Sequence, residues 1–219
     1  MVRNKLKKLT VEELANTLTH GFGLLLSVAG FVFLVVLAAM KGDGWYIASS
    51  VLYGLSLIVL YAASTFYHGA TSPELKRKLQ IVDHCCIYVL IAGTYTPFTL
   101  VVLRSGIGQN LFIFVWCFAV IGIISKILLS KKFRGASVIS YLVMGWIGVI
   151  VVEPLFAAIG LMPILLVVAG GVAYSVGVIF YAWKSLRHHH AIWHLFVMAG
   201  SILHFLAIAI YVIPYSLKS

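Results

Sequence analysis

The segment His190-Ala191-Ile192-Trp193-His194 sets two imidazoles four residues apart, and Ser64-Thr65-Phe66-Tyr67-His68 sets a hydroxyl and another imidazole at the same spacing. Positions i and i+4 of a helix share one face, about 6 Å apart, so His190 and His194 can offer two nitrogens to one metal ion. A third histidine would complete three nitrogen ligands and leave the fourth position of a tetrahedral zinc to water, the pattern of catalytic sites. Asp83 can hydrogen-bond such a water and hold or accept its proton. No Met or Cys has an obvious place on the same faces, which favours zinc over copper, although imidazoles also serve iron and nickel. Hydrogen bonding between polar side chains of neighbouring helices is the alternative reading of the same spacing.

The elements that must position these groups are membrane helices. Of 219 residues, 62% are hydrophobic and only 10% charged, with a mean hydropathy of +1.06, against about 25% charge in soluble domains. A soluble domain of this size cannot hide so much apolar surface. The composition also excludes disorder, a collagen-like repeat and a disulfide scaffold, the last because there are only three cysteines. The expected fold class is therefore all-α, a polytopic seven-helix transmembrane bundle forming a single domain over 1–219.

A membrane span needs about 20 largely apolar residues. Runs of that kind lie near 17–40, 45–68, 81–103 and 110–130. The stretch from Gly135 to Trp183 is too long for one crossing, and Glu153-Pro154 with Gly160-Leu161-Met162-Pro163 supplies helix breakers. It divides into spans near 135–155 and 161–184, and a last run from Ala191 to Pro214 makes the seventh. The first run has no small-residue cleavage site and is read as a retained span. Ahead of it, an interfacial segment covers about 1–16, and Thr10-Val11-Glu12-Glu13 fits a capping box in which Glu13 reaches back to Thr10.

The net charge of +10 sits in short clusters between apolar runs, which reads as topology; no nucleic-acid partner is expected. Arg3, Lys5, Lys7, Lys8, Lys76, Arg77, Lys78, Lys131, Lys132, Arg134, Lys184 and Arg187 fall on one side, against Lys41, Arg104 and Lys218 on the other. The basic side is cytoplasmic by the positive-inside rule, placing the N-terminus in the cytoplasm and the C-terminus outside. Lys126, about a turn inside span four, is expected to snorkel toward the basic side.

Ionisable side chains within membrane spans are costly and mark function. Mapped onto this topology, His20, His68, Asp83, His190 and His194 share the cytoplasmic level although they come from four helices. His204, ten residues beyond His194, lies about 15 Å deeper and reads as a hydrogen-bond partner within the bundle. His84 points roughly 100° away from Asp83 around its helix, making it a poorer ligand. Gly93-Thr94-Tyr95-Thr96-Pro97 is expected to kink span three, with threonine hydroxyls satisfying the freed carbonyls.

Taken together, Glu13-x-x-Asn16-x-x-x-His20, Ser64-x-x-x-His68, Asp83 opening the third span and His190-x-x-x-His194 resemble the hemolysin III family. This is the bacterial branch of the progestin and adipoQ receptor superfamily, which includes the adiponectin receptors and is distantly similar to alkaline ceramidases. The resemblance covers essentially the whole chain. It implies a multi-pass protein of the bacterial plasma membrane with Zn2+ held by His68, His190 and His194 near the cytoplasmic side. It further implies Asp83 at the metal-bound water and Ser64 behind it, with Glu13, Asn16 and His20 as further motif positions. The extended N-terminal domain of the animal receptors is absent, so no protein hormone is expected as a partner.

Two classes of function follow. One is a zinc-dependent, ceramidase-like hydrolase of an amide or ester in a membrane lipid, acting in lipid homeostasis, with Asp83 and Ser64 as its catalytic groups. The other is a non-enzymatic membrane sensor or a cytolytic protein in which the zinc is structural. The spans carry no charge ring or repeating polar lining for a pore, and no second cluster that would make a zinc pathway.

Overall fold

The computed structural model describes residues 9–129 and 134–216, and these are helical almost throughout. The helices are α1 (Val11–Ala39), α2 (Gly44–Gly69), α3 (Pro73–Pro97), α4 (Ile107–Leu129), α5 (Arg134–Trp146), α6 (Val152–Ile159), α7 (Leu161–Ala182) and α8 (His189–Ala207). With α5 and α6 counted as one broken crossing, seven helices among the described residues are long and apolar enough to span a membrane. The chain is a multi-pass integral membrane protein, as its composition requires. Many large apolar side chains remain exposed along the outer faces of the helices, among them Leu25, Phe33, Ile121, Leu128 and Ile179, as a lipid-facing surface demands.

Local chemistry sets the helix ends. Thr10 caps α1, its hydroxyl accepting from the Glu13 backbone N–H at 3.2 Å. The reciprocal half of the capping box does not form, because the Glu13 side chain is engaged elsewhere. Pro73 occupies the first turn of α3, where a missing N–H costs nothing, so α3 begins eight residues before the apolar run. Gly160, at φ +78°, makes the turn between α6 and α7, a conformation that favours glycine.

The kink expected in span three takes the form of a π-helical turn, Phe98–Val102, directly after Pro97. Thr94 and Thr96 return their hydroxyls to the carbonyls of Leu90 and Ala92 at 2.8 and 2.9 Å, satisfying backbone acceptors inside the bundle. Span five runs past Glu153-Pro154, expected to help end it, as far as Ile159, and is broken internally where no break is expected. A 3-10 stretch, Ile147–Val151, separates α5 from α6, whereas Glu153-Pro154 sits in the first turn of α6. The Tyr95 hydroxyl on α3 explains it: it lies 3.0 and 2.7 Å from the carbonyls of Met144 and Gly145 and accepts from the Gly148 N–H at 2.7 Å.

Helix α1 packs on α2 and α8, α2 on α3, α3 on α4, and α7 on α8. The α7–α8 seam is close, since a Cβ added at Gly200 would stand 2.7 Å from the Tyr174 ring. Beside it, Ser201 receives the Tyr61 hydroxyl at 2.9 Å and meets Tyr174 at 2.8 Å, joining α2, α7 and α8 at mid-depth. At the end opposite the histidines, Arg104 pairs with Asp43 at 2.6 Å and lies over the Trp45 ring. The Trp45 backbone N–H and the Arg104 guanidinium hold the Asp43 carboxyl below the usual carboxylate range.

Candidate metal centre

The last turn of α2, the first turns of α8 and the first turns of α1 come together at one end of the bundle. His68 lies at the end of α2, and His190 and His194 open α8. One ring nitrogen from each of the three lies within 4.8 Å of the others. The ring centroids form a near-equilateral triangle with sides of 4.7, 4.9 and 5.0 Å. Three nitrogens bound tetrahedrally to one zinc stand about 3.4 Å apart, so side-chain rotations closing the triangle by about an ångström would complete such a site.

The hydrogen bonds around the triangle free the nitrogens a metal needs. His68 Nδ1 lies 2.6 Å from Glu13 Oε2, and Lys76 pairs with the other oxygen of the same carboxylate at 2.9 Å. A carboxylate only accepts, so Nδ1 carries the proton and Nε2 is left with its lone pair. That Nε2 is buried and without a hydrogen-bond partner, the condition of a ligand atom. The Asn16 amide nitrogen, 3.4 Å from the same Nδ1, packs beside this bond.

His194 is oriented by the same logic. Thr19 Oγ1 stands 3.1 Å from His194 Nδ1 and also lies 2.9 and 3.0 Å from the carbonyls of Ala15 and Asn16. The hydroxyl's single proton goes to a backbone carbonyl, so the oxygen accepts from Nδ1–H and Nε2 again keeps its lone pair. Carboxylate or hydroxyl partners on the far nitrogen are the usual means of fixing the tautomer and ring plane of metal-binding histidines. The donor set therefore fits a divalent ion that accepts three imidazoles.

The other motif residues are distributed around this centre. His20, 3% exposed, stacks on His194 with centroids 3.4 Å apart and planes 15° from parallel; it lies outside the three-histidine group. Asp83 and Ser64 are both buried, stand beside one another, and line a cavity of about 150 Å³ together with His20, His190 and His194. A second, more open chamber of about 320 Å³ is lined by His68, Glu13, Asn16 and His190. Four of the motif residues, His20, Ser64, Asp83 and Asn16, are thus near-inaccessible polar groups gathered within one end of a membrane bundle.

Three residues stand differently from their sequence reading. Glu13, the third residue of α1, is an orienting partner of His68 and not a capping side chain. Lys126 does not snorkel: it is 8% exposed, lines the cavity with Asp83, and donates to Ser137 Oγ at 3.4 Å. Thr19 had no motif to mark it; its position one residue before His20, on the face that meets α8, was its only sign. His204 behaves as expected, with Nε2 3.0 Å from the Val167 carbonyl. His84 lines both chambers but is not one of the three grouped histidines. The basic residues Arg3, Lys5, Lys7, Lys8, Lys131 and Lys132 lie outside the described residues.

The family described as Haemolysin-III related matches residues 9–205, an interval that contains every residue of the centre. The chain is 47% identical over 200 residues to the Hemolysin-3 homolog of Bacillus subtilis, covering 91% of this chain and 94% of that protein. It is 41% identical over 203 residues to Hemolysin-3 of Bacillus cereus, with 93% of each covered. The human Monocyte to macrophage differentiation factor is 29% identical over 205 residues, covering 90% of this chain and 83% of that protein.

Proposed function

The chain belongs to the hemolysin III family, and on that premise we propose that it is a zinc-dependent hydrolase acting on an acyl amide or ester of a membrane lipid, with its metal end in the cytoplasm. The observation that carries the reading is the grouping of His68, His190 and His194 beside an apolar cavity that His190, His194, Asp83 and Ser64 line. Three imidazole ligands and an open fourth position are the donor set of catalytic zinc. The excess of Lys and Arg in the loops on the histidine side supports the orientation.

When bound, the ion would lower the pKa of a water and polarise the scissile carbonyl. Asp83 takes the proton of the attacking water on a carboxylate oxygen and later returns it to the departing nitrogen or oxygen. Ser64, beside Asp83, donates from its hydroxyl and fixes the carboxylate or the carbonyl in line. His20 closes the space behind His194 and keeps that ring in its plane. Apolar side chains of α3, α5, α7 and α8 hold the acyl chain and exclude water from it.

The test is turnover of acyl amides by purified, zinc-loaded protein. Asp83→Ala should abolish hydrolysis while the metal content stays that of the wild type. Turnover that survives a combined His68→Ala, His190→Ala and His194→Ala substitution would refute the mechanism.

A further inference from the structure

Building on the hydrolase reading above, we infer that the substrate carries one acyl chain and a compact hydrophilic head, so that its two halves lie in two different chambers that meet at the histidines. The first chamber is the cavity, walled by apolar side chains such as Ile87, Leu90, Ile91, Leu142, Val178 and Val197. It reaches from Asp83 to Tyr95 on α3, twelve residues or about 18 Å along the helix. A volume of about 150 Å³ spread over that length is too narrow for two hydrocarbon chains side by side.

The second chamber, about 320 Å³, opens at the end of the bundle and is walled by Thr10, Glu12, Glu13, Gln80 and Lys184 among others. His84, Tyr181 and His190 line both chambers, whereas His194 lines only the first and His68 only the second. A carbonyl reacting among the three histidines therefore has its acyl side in the cavity and its other substituent in the polar chamber. A hydroxyl or amino head donates to the Glu12 and Gln80 side chains there. A second long hydrocarbon chain would instead strip water from carboxylates and an ammonium without replacing their hydrogen bonds.

The reaction balances in that geometry. Water adds to the carbonyl carbon and the C–N bond breaks. The fatty acid is left as a carboxylate with its chain in the cavity, and the nitrogen takes the proton and leaves as an ammonium through the polar chamber. A two-tailed amide such as a ceramide has no apolar place for its second tail.

The experiment uses full-length, zinc-loaded protein in detergent, with cis-parinaric acid as the reporter of cavity occupancy. N-palmitoylethanolamine and palmitoyl ceramide compete for it, and turnover of both is followed in parallel. The single-chain amide should displace the reporter at about tenfold lower concentration, the scale on which binding pockets discriminate. Glu12→Leu, at a half-exposed side chain, should narrow the gap by admitting ceramide. Ceramide competing as well or better, or neither lipid competing, overturns the inference. Displacement in the expected order with no turnover of either lipid refutes the hydrolase reading and leaves the one-chain geometry supported.

Discussion

Glu13 on α1 receives the His68 Nδ1–H of α2 at 2.6 Å, across 55 residues of sequence, and so sets which nitrogen of His68 faces His190 and His194. Helix α1 thus contributes no ligand and yet orients two of them, His68 through Glu13 and His194 through Thr19. The ordering of the centre depends on how α1 is seated.

Glu13→Gln replaces the carboxylate by a neutral amide that accepts more weakly and no longer draws Lys76. Zinc affinity, measured by competition with a chromophoric chelator, should fall about 10- to 100-fold, the usual cost of losing an outer partner of a ligating histidine. Lys76→Met leaves the carboxylate free to accept from His68, so it should leave affinity unchanged or raised. A loss in Lys76→Met equal to that in Glu13→Gln would mean that the cluster acts only as a structural tie.

Thr19→Val removes the oxygen that accepts from His194 Nδ1 while keeping the volume of the side chain. Zinc affinity should fall in the same direction as for Glu13→Gln, by less, because a neutral hydrogen bond is weaker than a charged one. Thr19→Ser should restore it.

Gly200→Ala places a methyl group 2.7 Å from the Tyr174 ring. Overpacking of this kind costs about 1–3 kcal/mol, which should appear as a lower Tm in thermal unfolding with metal stoichiometry unchanged.

Asp43→Asn tests the far end of the bundle. The Asp43 carboxyl is held below its usual range by the Trp45 N–H and Arg104, so its contribution is present above the unfolded value and is lost as pH falls through the folded one. The variant should melt below the wild type at neutral pH, and the two Tm values should converge as the pH drops through the acid range below the ordinary aspartate value. A difference that persists unchanged at the acid end would show that the charge of Asp43 is irrelevant.

The seven crossings were legible because lipid demands long apolar runs, and the Gly160 turn because few residues adopt its backbone. His190 and His194 were legible as a pair because i, i+4 spacing is a local property of one helix, and His68 was added as the third by the family resemblance. What escaped depends on contacts between distant segments. Glu13 satisfies a local capping pattern, and only the arrival of α2 gives its carboxylate to His68. Lys126 lies about a turn from a helix end, where snorkelling is the cheap local solution, yet the packing of α3 and α5 turns it inward. The break at Ile147–Val151 has its cause on another helix, in the Tyr95 hydroxyl.

The central claim is that His68, His190 and His194 hold one metal ion, and elemental analysis of the purified protein tests it most directly. The account predicts one zinc per chain in the wild type, retained in His84→Ala and His204→Ala and lost in each of His68→Ala, His190→Ala and His194→Ala. A wild-type protein that takes up no zinc when it is supplied, or a triple-alanine variant that keeps a full equivalent, would contradict it.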